Sequence, residues 1–195
     1  MQPEEAAESH EAPHCPSPFT RDGEMLRGLI EAALDHEAPR DPNPFTCDSD
    51  TLRGLLASLL DHVGPEAGGS VFRGRAVALV GAVAPVLAWV RDYKGIRIDL
   101  CQSHFAMELP NLCALVAHKV FRVRPSVWSP VAEVPVADMP EALTDPVRAY
   151  LRGLPGYDER LPGDCQATAA PGELHDWTMF ILALAFVRGG AAGWS

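Results

Sequence analysis

Between Val71 and Gly95 the chain reads VFRGRAVALVGAVAPVLAWVRDYKG, its longest apolar run. Arg73, Arg75, Arg91 and Lys94 bracket the run, and the fifteen residues from Ala76 to Val90 carry no charge. Such a stretch is either a helix buried on all sides or a membrane span. A span needs roughly 20 apolar residues, whereas this run is shorter and contains Gly81 and Pro85. The pattern therefore predicts a buried central helix over 71–94 and no transmembrane segment. Pro85 lacks an N–H and crowds the carbonyl four residues back, which predicts a kink or break near Val80–Ala84. Gly95 is the stop signal.

On either side of this run the apolar residues follow helical spacing. Leu52, Leu55, Leu56, Leu59 and Leu60 share one face, behind a cap at Asp48 or Ser49. Ile96 to Asp99 reads as an extended connector, and Asp99 as the cap of a helix through Ala106 or Met107. Pro110 suits the first turn of another helix, Asn111 to Phe121. Arg122 to Met139 is proline-rich and aperiodic, which predicts a surface loop. Pro140 to Leu154 is expected to be helical, with Leu143, Val147, Tyr150 and Leu151 inward. His175 to Val187 is apolar nearly all round and predicts a last helix lying against further protein, or a truncated chain. The whole predicts an all-α fold of irregular helices around 71–94, joined by long proline- and glycine-rich loops.

The first helix belongs to an internal repeat. His10–His36 and His36–His62 align without a gap, and 16 of the 27 aligned pairs are identical. Pro16-Ser-Pro-Phe-Thr matches Pro42-Asn-Pro-Phe-Thr, and Leu26-Arg-Gly-Leu-Ile matches Leu52-Arg-Gly-Leu-Leu. Two units are too few for a solenoid, so a tandem duplication is the expected origin. The expected organisation is a disordered acidic tail over 1–15, a duplicated helix unit over 16–41, a helical domain over 42–188 and a flexible tail over 189–195.

Charge sharpens this division. The formal net charge is −10, and residues 1–66 supply all of it, with fourteen acids against four bases. Anionic partners are repelled by that third of the chain, so direct binding of duplex DNA is not expected there. The five cysteines are scattered and form no CxxC, which fits free thiols in a reducing cytosol. The acidic, polar start reads as no signal peptide.

Lys94 and Lys119 are the only lysines, and neither follows a glycine, so this chain contains no GxxxxGK[ST] phosphate loop. Cys101 with His104, and Cys113 with His118, are short of the four closely spaced ligands of a zinc site. The Asp35-His36 and Asp61-His62 pairs are adjacent on helices and point apart. No catalytic, cofactor-binding or metal-ligating residue is assigned. The candidate partner-binding residues are Leu26, Leu29, Leu52 and Leu55 on the repeated helices, and Arg91, Lys94 and Arg97 at the end of the central helix. There, positive charge complements the helix dipole and could meet an acidic protein or single-stranded nucleic acid.

Several short motifs occur in a telling order. They are Asn43-Pro-Phe45, Arg73-Gly-Arg75-Ala76, Leu87-Ala-Trp-Val-Arg-Asp92 with Gly95, and Leu109-Pro-Asn-Leu112. Tyr150-Leu-x-x-Leu-Pro-Gly-Tyr157, Gly163-Asp-x-Gln166 and His175-x-Trp177 follow. Over roughly Pro42 to Phe186 the chain resembles the middle of conjugative and type IV secretion coupling proteins of the TraD/TrbC and DotL/IcmO kind. The resemblance implies an all-α domain between the nucleotide-binding halves of an ATPase, facing substrates and adaptor proteins at the cytosolic mouth of a hexamer. The chain departs from that pattern by its duplicated helix unit, by lacking the ATP-binding motifs and by its divergent last helix. The expectation is a non-catalytic, truncated docking domain without cofactor. Its partners would be a coupling ATPase or other secretion proteins and a protein or nucleoprotein substrate. Its expected place is the cytoplasm, at the inner face of the bacterial membrane through partners. The alternatives are an orphan enzyme using Cys101, His104 or His175, and a gene remnant without function.

Overall fold

The computed structural model describes residues 44–63, 69–125, 128–161 and 169–191. The acidic tail and the first repeat unit, including Leu26 and Leu29, lie outside them. Six α-helices and one two-stranded sheet make up the described chain: α1 Ser49–Leu59, α2 Gly69–Lys94, α3 Leu100–Met107, α4 Leu109–His118, β1 Val120–Val123, β2 Ala132–Pro135, α5 Glu141–Arg152 and α6 Ala169–Ala191. The fold is all-α with a small antiparallel ribbon attached.

α1 begins where Asp48 accepts hydrogen bonds from the backbone N–H groups of Asp50 and Thr51, both at 3.0 Å. These bonds satisfy two of the donors that a helix start leaves unpaired, and the Thr51 N–H holds the Asp48 carboxyl below its ordinary value. Leu52, Leu56 and Leu59 recur on one face and are buried. The 3₁₀ turn Leu60–His62 continues that face with buried Leu60, and buried Val63 follows.

α2 runs through Pro85 for 26 residues, so of the expected kink or break the break does not occur. Proline in a helix costs about 3 kcal/mol. Val83, Ala84, Val86, Leu87 and Val90 around it are buried, and each large apolar side chain contributes roughly 1.5–3 kcal/mol. Packing therefore outweighs the lost hydrogen bond. By length and composition alone, Ser70–Lys94 is apolar enough to cross a membrane. Here it is the core: α1, α3, α5 and α6 all pack on it, with Leu79, Val80 and Leu87 fully buried.

Gly95 ends α2 at φ +66°, where an L side chain is strained. Asp99 caps α3 by accepting from the Gln102 N–H at 2.8 Å, and Pro110 lies in the first turn of α4. α4 stops at His118, short of the expected Phe121, because Lys119 takes a left-handed conformation (φ 53°, ψ 44°) and turns the chain into β1. The expected loop over 122–139 is instead largely a hairpin, with Val120 opposite Pro135 and Val123 opposite Ala132. Its prolines bound the strands rather than interrupt them, since Pro125 follows β1, Pro130 precedes β2 and Pro135 closes the ladder. Gln102 of α3 fastens the ribbon: its side-chain amide donates to Arg122 O at 3.0 Å and accepts from Arg124 N at 3.0 Å.

α5 buries Val147, Tyr150 and Leu151 as expected, but Thr144 takes a buried position where Leu143 is only partly covered. α6 begins before His175 and runs through Ala191, so residues 189–191 continue the helix.

Two glycine substitutions should act in opposite directions. At Gly54, inside α1, an added Cβ meets nothing within 4 Å, so Gly54→Ala is expected to stabilise by about 0.5–1 kcal/mol. Gly95→Ala is expected to destabilise by roughly 1–2 kcal/mol, because Gly95 has positive φ. Denaturant midpoints measure both, and equal shifts for the two variants would contradict this backbone reading.

Candidate partner-binding surface

At the C-terminal end of α2, the Arg91 guanidinium is largely covered. Its Nη1 donates to the backbone carbonyls of Phe45, at 2.6 Å, and Cys47. Its other edge grips Asp92, with Nε to Oδ1 at 2.7 Å and Nη2 to Oδ2 at 3.0 Å. Arg91 thus ties the turn before α1 to the end of α2, and Asp92 raises the Arg91 pKa further. Lys94 donates to both Asp138 oxygens, at 2.8 and 3.0 Å, holds that carboxyl below its ordinary value, and lies 5.4 Å from the Trp89 ring centre. Arg97 is exposed and forms no ion pair among the described residues. Two of the three basic candidates are therefore engaged internally, and Arg97 remains available. Tyr93, 73% exposed, stacks on Trp89 at 5.2 Å beside it. The i,i+4 spacing of Trp89 and Tyr93 was the signal for this pair.

The leucine candidates divide. Leu52 is fully buried in the core and offers no surface, while Leu55 is half-buried. A larger apolar exposure lies where the start of α2 meets α6. Trp177 sits 6.0 Å from Phe72 and 5.8 Å from Phe180, ring centre to ring centre. Trp177 and Phe180 are 40% and 38% exposed, and Val71 is 65% exposed. The sequence pattern showed His175 to Val187 of α6 to be apolar nearly all round but not which face stays uncovered.

Two of the chemical candidates, His175 and Cys113, lie inside the fold. His175 is buried, with Nε2 2.9 Å from Met107 O and Nδ1 2.9 Å from Tyr150 Oη. A carbonyl can only accept, so Nε2 carries the proton and Nδ1 accepts from the Tyr150 hydroxyl. This neutral ring joins α3, α5 and α6, and burial lowers its pKa to about 4. The same burial pushes Tyr150 up to about 12. Cys113 is buried and its thiol is raised to about 11, so it is held protonated. His104 meets Phe186 edge-on at 6.0 Å. Asp61 accepts from Arg73 at 2.5 Å, which occupies the acid of the Asp61-His62 pair. No group of three or more metal-ligating side chains occurs among the described residues.

No protein-family model matches the chain. It is 33% identical over 95 residues, 49% of its length, to the type 4 coupling protein DotL of Legionella pneumophila. This partial similarity relates the chain to type IV coupling proteins. The chain spans 12% of the length of that relative.

His175 sets an acid dependence. Below its ordinary value of 6.5 the unfolded chain takes up a proton that the folded chain refuses until about pH 4. Stability should therefore fall as pH drops from 6.5 to 4, by roughly 3 kcal/mol at about 1.4 per pKa unit. In His175→Phe that slope should flatten, although the variant starts lower because Tyr150 and Met107 O lose their partner. Urea midpoints across this pH range decide it, and an unchanged slope in the variant would contradict the assignment.

Proposed function

We propose that this chain is a non-catalytic helical docking domain that serves a type IV secretion or conjugation system, corresponding to the helical middle region of a coupling protein. The observation that carries this reading is the 33% identity over 95 residues to a type 4 coupling protein. It is supported by the all-α fold and by functional groups that face inward. His175 has both ring nitrogens engaged, and Cys113 is buried. What the domain presents outward is aromatic and apolar, and exposed Trp and Phe clusters are the kind of surface that anchors protein partners. The docking face in this reading is the Phe72–Trp177–Phe180 cluster, with Tyr93 and Arg97 at the opposite end of α2 as a second contact. The partner is a coupling ATPase or its protein cargo, and the domain works on the cytoplasmic side of the bacterial membrane.

The test is a binding measurement between the purified chain and the type IV coupling protein and cargo proteins of the same organism. Saturable binding is expected, weakened at least about tenfold by Trp177→Ala with Phe180→Ala while the thermal melt stays cooperative. Absence of binding to every such protein, or binding indifferent to both substitutions, would contradict the reading.

A further inference from the structure

α1 packs in a slot on α2 and α6, and the chain carries a second, similar copy of the sequence that fills it. The slot is defined by the buried residues Phe45, Leu52, Leu56, Leu59, Leu60 and Val63, by the Asp48 cap and by the Asp61–Arg73 pair at 2.5 Å. Twenty-six residues upstream, the sequence supplies the same chemistry at most of these places. Phe19, Leu26 and Leu34 are identical to Phe45, Leu52 and Leu60. Asp22 repeats the cap and Asp35 repeats the partner of Arg73. Ile30 replaces Leu56 at equal volume, a swap that cores tolerate. The Arg91 contacts to this region go to backbone carbonyls, so the change from Cys47 to Arg21 does not remove them.

Two positions rank the copies. Ala33 stands where Leu59 is buried, and Glu37 stands where Val63 is buried. The first leaves a cavity and the second brings a carboxylate into an apolar place. The cavity alone favours the second copy by at least about thirtyfold. Thirty-two residues separate His36 from Gly69, the start of α2, enough chain for the first copy to reach the slot. We propose that the α1 slot has two intramolecular ligands. Residues 42–63 occupy it in the resting protein, and residues 16–37 take their place whenever the second copy is withdrawn or damaged. The retained positions are those the slot reads, and the two losses are those that set the order.

The experiment uses the full-length chain with Leu52→Asp, Leu26→Asp, both together, and Leu52→Asp combined with Ala33→Leu and Glu37→Val. Thermal melts are read beside hydrogen exchange. Leu26→Asp alone should leave the melting midpoint in place. Leu52→Asp should keep a cooperative helical melt at a lower midpoint, losing protection over 52–60 and gaining it over 26–34 relative to the unaltered chain. The double variant should lose the cooperative transition. Repairing the first copy with Ala33→Leu and Glu37→Val should move the Leu52→Asp midpoint back toward the parent. Two results would overturn the proposal. One is Leu52→Asp unfolding as completely as the double variant with no rescue by repair. The other is protection over 26–34 that does not rise.

Discussion

One constraint governs this fold: most of a helix with no charge from Ala76 to Val90 has to be taken out of water. A sheet or a single partner helix covers one side only. The chain meets the demand with α1, α3, α5 and α6 packed on α2, which leaves Val77 exposed near the start of the apolar stretch. The same demand explains why Pro85 is carried inside α2. Breaking the helix would uncover the residues on both sides of the proline, at a cost greater than one missing hydrogen bond.

Polar groups do the fastening at the ends of this apolar body. Arg91 holds the turn before α1 through two backbone carbonyls, Lys94 holds Asp138 beyond the ribbon, and Arg75 reaches Gly153 O at the end of α5 at 3.4 Å. Inside the body, His175 bridges Tyr150 and Met107. A buried histidine is stable here because each ring nitrogen has a partner of the right kind. These anchors leave the outer faces of α2 and α6 to present aromatic rings, the surface chemistry from which the docking role is argued.

Much of the architecture was legible in the sequence where the cause is local. The caps Asp48 and Asp99, the stop at Gly95, the proline at the start of α4 and the leucine face of α1 each act within a turn of themselves. The hairpin was not legible, because Val120 and Phe121 continue the apolar spacing of α4, and only the left-handed Lys119 and the pairing with 132–135 redirect them. The roles of the candidate residues were hidden for the same reason. Arg91 finds its acceptors 46 and 44 residues away, Lys94 its carboxylate 44 away, and His175 its carbonyl 68 away. Sequence spacing placed positive charge at the end of α2. It placed Asp92 beside Arg91 but held no trace of the distant carbonyls, or of the Asp138 carboxylate, that these side chains reach.

The central claim is that α2 is the core of the helical fold, and native-state hydrogen exchange of Ala76 to Val90 in denaturant tests it most directly. If α2 is the core, these amides exchange only through global unfolding, with free energies that converge with those of α1 and α5 and fall steeply with denaturant. Exchange of Ala76–Val90 through openings insensitive to denaturant, while the surrounding helices stay protected, would contradict the claim.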